Sequence, residues 1–233
     1  MGAIFKREFK AYFKSPVGYV ILAIYLFFLG LFFTTMYASG YPYTSFIFGQ
    51  LFSIVLFTVP IITMRLMSDD KRQKTDQALL TAPVKLSGIV MGKFLAAFAF
   101  FSLSLLETII FQLIFLANGA ADWSSFFGNI IGIALFGGAL ISVGLFVSSL
   151  TESQAVAAIG SFAISMSLMM LDTITASVNI PFLNKVVEWI SFSGRYQTFT
   201  EGIFDFSNVV FFISFVALFL FFTVRVLEKK RYS

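Results

Sequence analysis

The sequence predicts an all-α integral membrane protein with six transmembrane helices. Three observations predict it. Of 233 residues, 58% are hydrophobic and 12% charged, with a mean hydropathy of +0.91. A soluble domain carries about 25% charged residues, so this chain cannot cover its apolar surface with water-facing groups. The apolar residues fall into runs of the roughly 20 residues that cross a bilayer. The sixteen Lys and Arg residues cluster in short intervals between those runs. That is topogenic charge on a membrane protein, so no nucleic-acid partner is expected despite a pI near 9.3. The chain has no Cys and no His. A disulfide framework, a thiolate metal site and the usual neutral-pH base are therefore excluded, and no metal site is expected.

Residues 1–15 read MGAIFKREFKAYFKS. Ile4, Phe5, Phe9, Tyr12 and Phe13 stand at helical spacing, with Lys6, Arg7, Lys10 and Lys14 between them. This describes a basic amphipathic helix lying in the interface; the plainer reading is a positive flank of the first span. No small-residue cleavage site follows, so no cleaved signal is expected. Pro16 and Gly18 then turn the chain into the bilayer.

Six spans are expected, at about residues 17–37, 46–64, 94–117, 126–147, 155–176 and 209–226. The first connection is short and uncharged, which predicts a tight hairpin. Basic residues set the orientation. The first segment carries four, the interval at 65–93 six and the tail from Arg225 onward four, so fourteen of sixteen lie on one side. Only Lys185 and Arg195 lie opposite. Both termini are expected to be cytoplasmic.

Inside the spans, the second contains Pro60, which predicts a kink acting as a hinge or a static bend. The fourth carries Gly128, Gly132 and Gly138. Such stripes of small residues let helix backbones approach closely, either around a conduit or in ordinary packing. Glu107 in the third span and Asp172 near the outer end of the fifth are conduit candidates, because a carboxylate at bilayer depth has to face protein or water. The alternative for each is a protonated or hydrogen-bonded packing residue. Residues 177–208 form the largest outer interval, expected to be re-entrant or interfacial.

The interval 65–93 is the one long polar stretch. Ser68 is expected to cap a helix starting near Asp69, with the acidic pair Asp69 and Asp70 at its positive end. The helix is predicted to run on through 71–80 and to stop at Thr81-Ala82-Pro83. It crosses the ends of two spans, or it is a solvated connector. The sequence contains no phosphate-binding GxxxxGK[ST] loop and no GxSxG elbow. The chain is not expected to be an enzyme.

At this interval the sequence, SDDKRQKTDQALLTAPVKLSGIVMGKFLAA, resembles the cytoplasmic segment of ABC-2-type permeases. The family pattern is an acidic-basic cluster, a Gly-Thr-Leu-Glu-like step, a Leu-Leu-x-x-Pro-Val/Ile box and a Gly-Lys-Phe opening the third span. Here the box is Leu79-Leu80-Thr81-Ala82-Pro83-Val84 and the opening is Gly92-Lys93-Phe94. The stretches 5–16, 199–205 and 226–231 fit as well, closest to gliding-motility-type and copper-enzyme-maturation-type permeases; no role in gliding follows. One step departs. Lys74-Thr75-Asp76-Gln77 stands where the pattern has Gly-Thr-Leu-Glu.

The resemblance implies a single 1–233 permease domain of the ABC-2, type V exporter-like fold, with residues 1–15 as elbow helix. It implies a multi-pass protein of a prokaryotic plasma (inner) membrane, exporting an amphipathic or hydrophobic substrate. Two ABC ATPase subunits would bind ATP and magnesium, leaving no cofactor in this chain. A second permease chain, identical or homologous, would complete the transporter, with membrane lipid around it and an accessory extracytoplasmic subunit allowed. Asp69, Asp70, Lys71, Arg72, Lys74, Asp76, Leu79, Leu80 and Pro83 would belong to the ATPase-coupling segment. Residues 148–153 would make a smaller contact, and 177–208 would cap the conduit. The rival readings are an ATPase-independent transporter or channel using Glu107, and a membrane assembly scaffold.

Overall fold

The computed structural model describes residues 1–38, 44–77, 84–117, 122–178 and 191–232. Every described element is helical: α1 (Gly2–Lys14), α2 (Pro16–Ala38), α3 (Thr44–Thr63), α4 (Ser68–Arg72), α5 (Leu86–Leu105), α6 (Glu107–Ala117), α7 (Trp123–Leu150), α8 (Gln154–Val178), α9 (Phe192–Thr200) and α10 (Phe206–Tyr232). Helices satisfy their own backbone hydrogen bonds, which is what a chain this apolar needs in hydrocarbon. Among the described residues, five stretches are long and apolar enough to cross a membrane: Pro16–Ala38, Ser45–Arg72, Leu86–Ala117, Trp123–Leu150 and Phe206–Arg231. The expected fifth span corresponds to α8, a helix of 25 residues.

α1 packs on α5 and α2. Its predicted apolar face is the packed one: Ile4, Phe9 and Phe13 lie against the core and Tyr12 is buried. Tyr12 stacks on Phe100 at 4.4 Å between centroids and donates to the Ile62 carbonyl at 2.9 Å. Burial raises the Tyr12 phenol pKa far above its ordinary value, so it remains a donor. The corner into α2 depends on Gly18. A Cβ there would lie 2.9 Å from the Tyr12 carbonyl carbon.

α7 is the most buried of the five spans and α10 the least. α7 packs against α10, α3, α8, α9 and α5, which makes it the central helix. Four of its glycines, Gly132, Gly137, Gly138 and Gly144, admit side chains. A Cβ on Gly132 would lie 2.6 Å from Phe199 Cβ, and one on Gly138 3.2 Å from the Phe98 ring. Gly137 meets the Phe101 ring and Gly144 the Thr63 side chain. Gly128 is looser, with its nearest atom at 3.8 Å. At those four positions the notch is filled by a side chain, a Phe in three of them, whereas Gly128 faces the Phe199 carbonyl oxygen.

The third span begins at Leu86, eight residues before the expected start. Lys93 therefore lies inside the helix rather than in the polar interval. The same span breaks at Leu106, where the Leu106 and Ile109 amides take three-residue bonds to Leu103 and Leu106. α3 runs through Pro60 to Thr63 without interruption. In the outer interval, α9 seats Phe192, Tyr196 and Phe199 in the core, and the Tyr196 hydroxyl donates to the Phe48 carbonyl at 2.8 Å. The first connection and residues 179–190 lie outside the described residues.

Candidate functional site: the charged end of the bundle

One end of the bundle gathers α1, the turn after α3, α4, the start of α5, the α7–α8 corner and the tail of α10. Its centre is Lys93. The side chain is 1% exposed, yet its ammonium has acceptors on three other elements. Nζ lies 2.9 Å from Glu8 Oε1 on α1 and 2.6 Å from Asp70 Oδ2 on α4, and it donates to the Leu66 carbonyl after α3. An ammonium has three N–H donors, and three acceptors meet it. Arg7 closes the ring, 2.5 Å from Glu8 Oε1 and 3.3 Å from Asp70 Oδ2. Two cations face two carboxylates, so the cluster is neutral. A buried charge is tolerable only on such terms.

Gly92 beside it explains how α1 comes so close. A Cβ there would lie 3.1 Å from the Met1 carbonyl oxygen and 3.2 Å from Ile4 Cβ. Burial pushes the Asp70 carboxyl up, but the charge and hydrogen bond of Lys93, then Arg7 and Thr75, outweigh it and hold the pKa below the ordinary value.

The polar segment is tied down along its length. The buried Ser148 hydroxyl accepts from the Met67 and Ser68 amides and donates to the Met64 carbonyl, each at 3.1 Å. It satisfies the backbone groups that the turn after α3 leaves open. Lys71 donates to the Ser149 carbonyl, placing a cation at the C-terminal end of α7, where the helix dipole favours it. Burial, then the nearby Lys230 charge, lowers the Lys71 pKa against the pull of Asp76 and Glu152. Gln154 at the start of α8 donates to Asp69 Oδ1, and Lys230 of α10 pairs with Asp76. Arg65 reaches the Ala11 carbonyl at 3.3 Å and lies over the Tyr12 ring.

The helix expected over 71–80 is not continuous. α4 ends at Arg72, and Lys74 takes φ +56°, a left-handed conformation that stops a helix. Nor does Ser68 cap it: the cap position is Met67, and the Ser68 hydroxyl donates back to Met64. The Thr75 hydroxyl bonds Asp70 Oδ1 at 3.0 Å and holds the turn. Lys74 occupies the step where the family pattern has Gly, and the dihedral supplies the physical reason for a glycine there.

This geometry divides the expected coupling residues. Asp69, Asp70, Lys71 and Asp76 face the bundle through the bonds above, while Arg72 and Lys74 are exposed, as are Gln73, Thr75 and Gln77. Leu79, Leu80 and Pro83 lie outside the described residues.

The ABC-2 type transporter family matches over residues 1–193. The chain belongs to that family. It is a multi-pass membrane transport component, and its kind works with ABC ATPase partners. No curated protein matches the chain.

Elsewhere in this ABC-2 family member, Glu107 opens α6 directly after the break at Leu106. Its Oε2 is buried with no hydrogen-bond partner among the described residues. Tyr25 on α2 shares a 2.9 Å hydrogen bond with Thr58 on α3. Asp172 is on α8, where only the backbone is described. The structure does not bring Glu107 into the charged cluster. Sequence reasoning missed Glu8, Arg7, Lys93 and Ser148 as site residues. The signal was present for Lys93, a single Lys whose neighbours Gly92 and Phe94 belong to the start of a helix rather than to a loop.

Proposed function

We propose that the chain is the transmembrane subunit of an ATP-binding-cassette exporter. The observation that carries this reading, beside the family match, is the segment 65–77. It is fastened to five helices on one side and presents Arg72, Gln73, Lys74, Thr75 and Gln77 on the other. A segment built in this way transmits a push. ATP-driven closure of a partner ATPase biases a two-state bundle through differential binding to one state.

In this reading the charged end is cytoplasmic, so both termini are cytoplasmic. α8 is the fifth of six spans, and the membrane is a prokaryotic plasma membrane. Two ATPase subunits supply ATP and magnesium chemistry, and a second permease chain completes the conduit. An amphipathic or hydrophobic substrate suits spans poor in charge and rich in Phe. Residues 78–83, with Leu79, Leu80 and Pro83, continue the docking segment, and the 148–153 corner adds a smaller contact.

Co-purification with an ABC ATPase, followed by an ATP hydrolysis assay, tests it. Leu79→Asp and Leu80→Asp are expected to abolish capture and stimulation. If both leave these unchanged, docking through this segment is wrong. The second reading, an ion-coupled transporter, is favoured only by the unpartnered Glu107 oxygen at a helix break. It requires activity without any ATPase.

A further inference from the structure

Resting on the permease reading, we propose that Lys93 is the positioning residue that makes the amphipathic helix α1, the segment α4 and the third span move as one body.

Three facts carry it. First, one ammonium binds Glu8 of α1, Asp70 of α4 and the Leu66 carbonyl after α3, while its own Cα belongs to α5. Four elements therefore meet at one atom. Second, Gly92 lets α1 lie against α5 so that Glu8 can reach Lys93. Third, the cluster is neutral and its centre is 1% exposed. Displacing any one element strands a charge away from water, which is costly. The elements consequently shift together, and the bistable unit is the assembly rather than the loop alone. A push on the exposed Arg72–Gln77 side then reaches the third span through Asp70 and the membrane-surface helix through Glu8 and Arg7.

The chain contains no cysteine, so an introduced pair reports without background. Lys10→Cys on α1 and Gln73→Cys after α4 are both exposed positions. Spin labels there, read in the full-length permease alone in nanodiscs, are expected to give one narrow distance distribution. Lys93→Met and Asp70→Asn are each expected to broaden it at least about twofold. Asp70→Glu, which keeps the carboxylate, is expected to preserve it. In the complex, Asp70→Asn is expected to hold ATPase capture within about threefold of the native chain. Permease-stimulated kcat should fall about tenfold with KM for ATP unchanged.

A distribution that stays narrow in both variants overturns the clamp. A stimulated kcat that stays native in Asp70→Asn overturns its role in transmission. Should Lys93→Met not fold, Asp70→Asn decides alone, since that carboxylate is partly exposed. If the native chain captures no ATPase, the permease reading falls while the label distances still decide the clamp.

Discussion

Lys93 Nζ lies 2.6 Å from Asp70 Oδ2, joining the third span to the polar segment that precedes it. Removing the cation leaves Glu8 and Asp70 mostly shielded from water with only Arg7 to answer them. Lys93→Met is therefore expected to cost about 3–5 kcal/mol. Denaturant unfolding in detergent measures it. Adding Glu8→Gln and Asp70→Asn to Lys93→Met is expected to recover part of the loss, because the stranded charges go too. A triple variant less stable than the single one would show that the carboxylates contribute on their own.

The acid response follows from the direction of the Asp70 shift. Its folded pKa lies below the ordinary value. The stability it contributes is therefore present above the unfolded carboxylate value of about 3.9, and it is lost as pH falls through the folded value. The stability difference between the native chain and Asp70→Asn is expected to be flat from about pH 8 to pH 5 and to close below about pH 4. A difference that changes between pH 6 and 8 would point to another titrating group.

Lys74 bears a left-handed backbone at φ +56°. Such a conformation costs a side-chain-bearing residue about 1–2 kcal/mol. Glycine escapes that cost but loses more chain entropy on folding. Lys74→Gly is expected to be neutral or to stabilise by up to about 1 kcal/mol. Lys74→Val, β-branched and exposed, is expected to destabilise by about 1–2 kcal/mol. Thermal unfolding of the two variants side by side checks the sign.

Five of the six expected spans were legible because each leaves an apolar mark about 20 residues long. The amphipathic face of α1 was legible from Ile4, Phe9, Tyr12 and Phe13 at helical spacing. The break at Lys74 was not, since no Gly or Pro marks it, and the stretch 71–77 reads as a good helix. Lys93 was misread for a related reason. A lysine next to a polar interval looks topogenic, and only the approach of Glu8, 85 residues away in sequence, makes a buried position tolerable. The glycines of α7 were read as a stripe for close helix approach; Gly132 and Gly138 meet Phe side chains, while Gly128 faces a carbonyl oxygen. Periodicity shows that a helix has a groove, not whether a ring or a backbone fills it.

Gly132 and Gly128 separate those two occupants. A Cβ on Gly132 would lie 2.6 Å from Phe199 Cβ, whereas on Gly128 it would find nothing nearer than 3.8 Å. Gly132→Ala is expected to destabilise by about 1–3 kcal/mol through overpacking, and Gly128→Ala to be nearly neutral. Phe199→Gly in the Gly132→Ala background is expected to relieve the clash, since it removes the Phe199 Cβ as well as the ring, while opening a cavity. The double variant should then fall short of the sum of the two single losses. Strict additivity in unfolding measurements would remove the Phe199 contact as the reason for glycine at 132.

Glu107 decides between the two transport readings. One carboxylate oxygen is buried without a partner among the described residues, next to the helix break at Leu106. An unpaired buried acceptor is a cost of about 1–3 kcal/mol that folding alone would not select. Glu107→Gln keeps the shape and removes the titrating proton. If the carboxyl acts only in packing, the variant unfolds at or above the native temperature. ATPase stimulation then stays within about twofold of native. If the carboxyl carries a proton or contacts substrate, the melting temperature is unchanged and the transport-linked signal is lost. Measuring both on one preparation is necessary, because only a functional loss without a stability loss assigns chemistry to this residue.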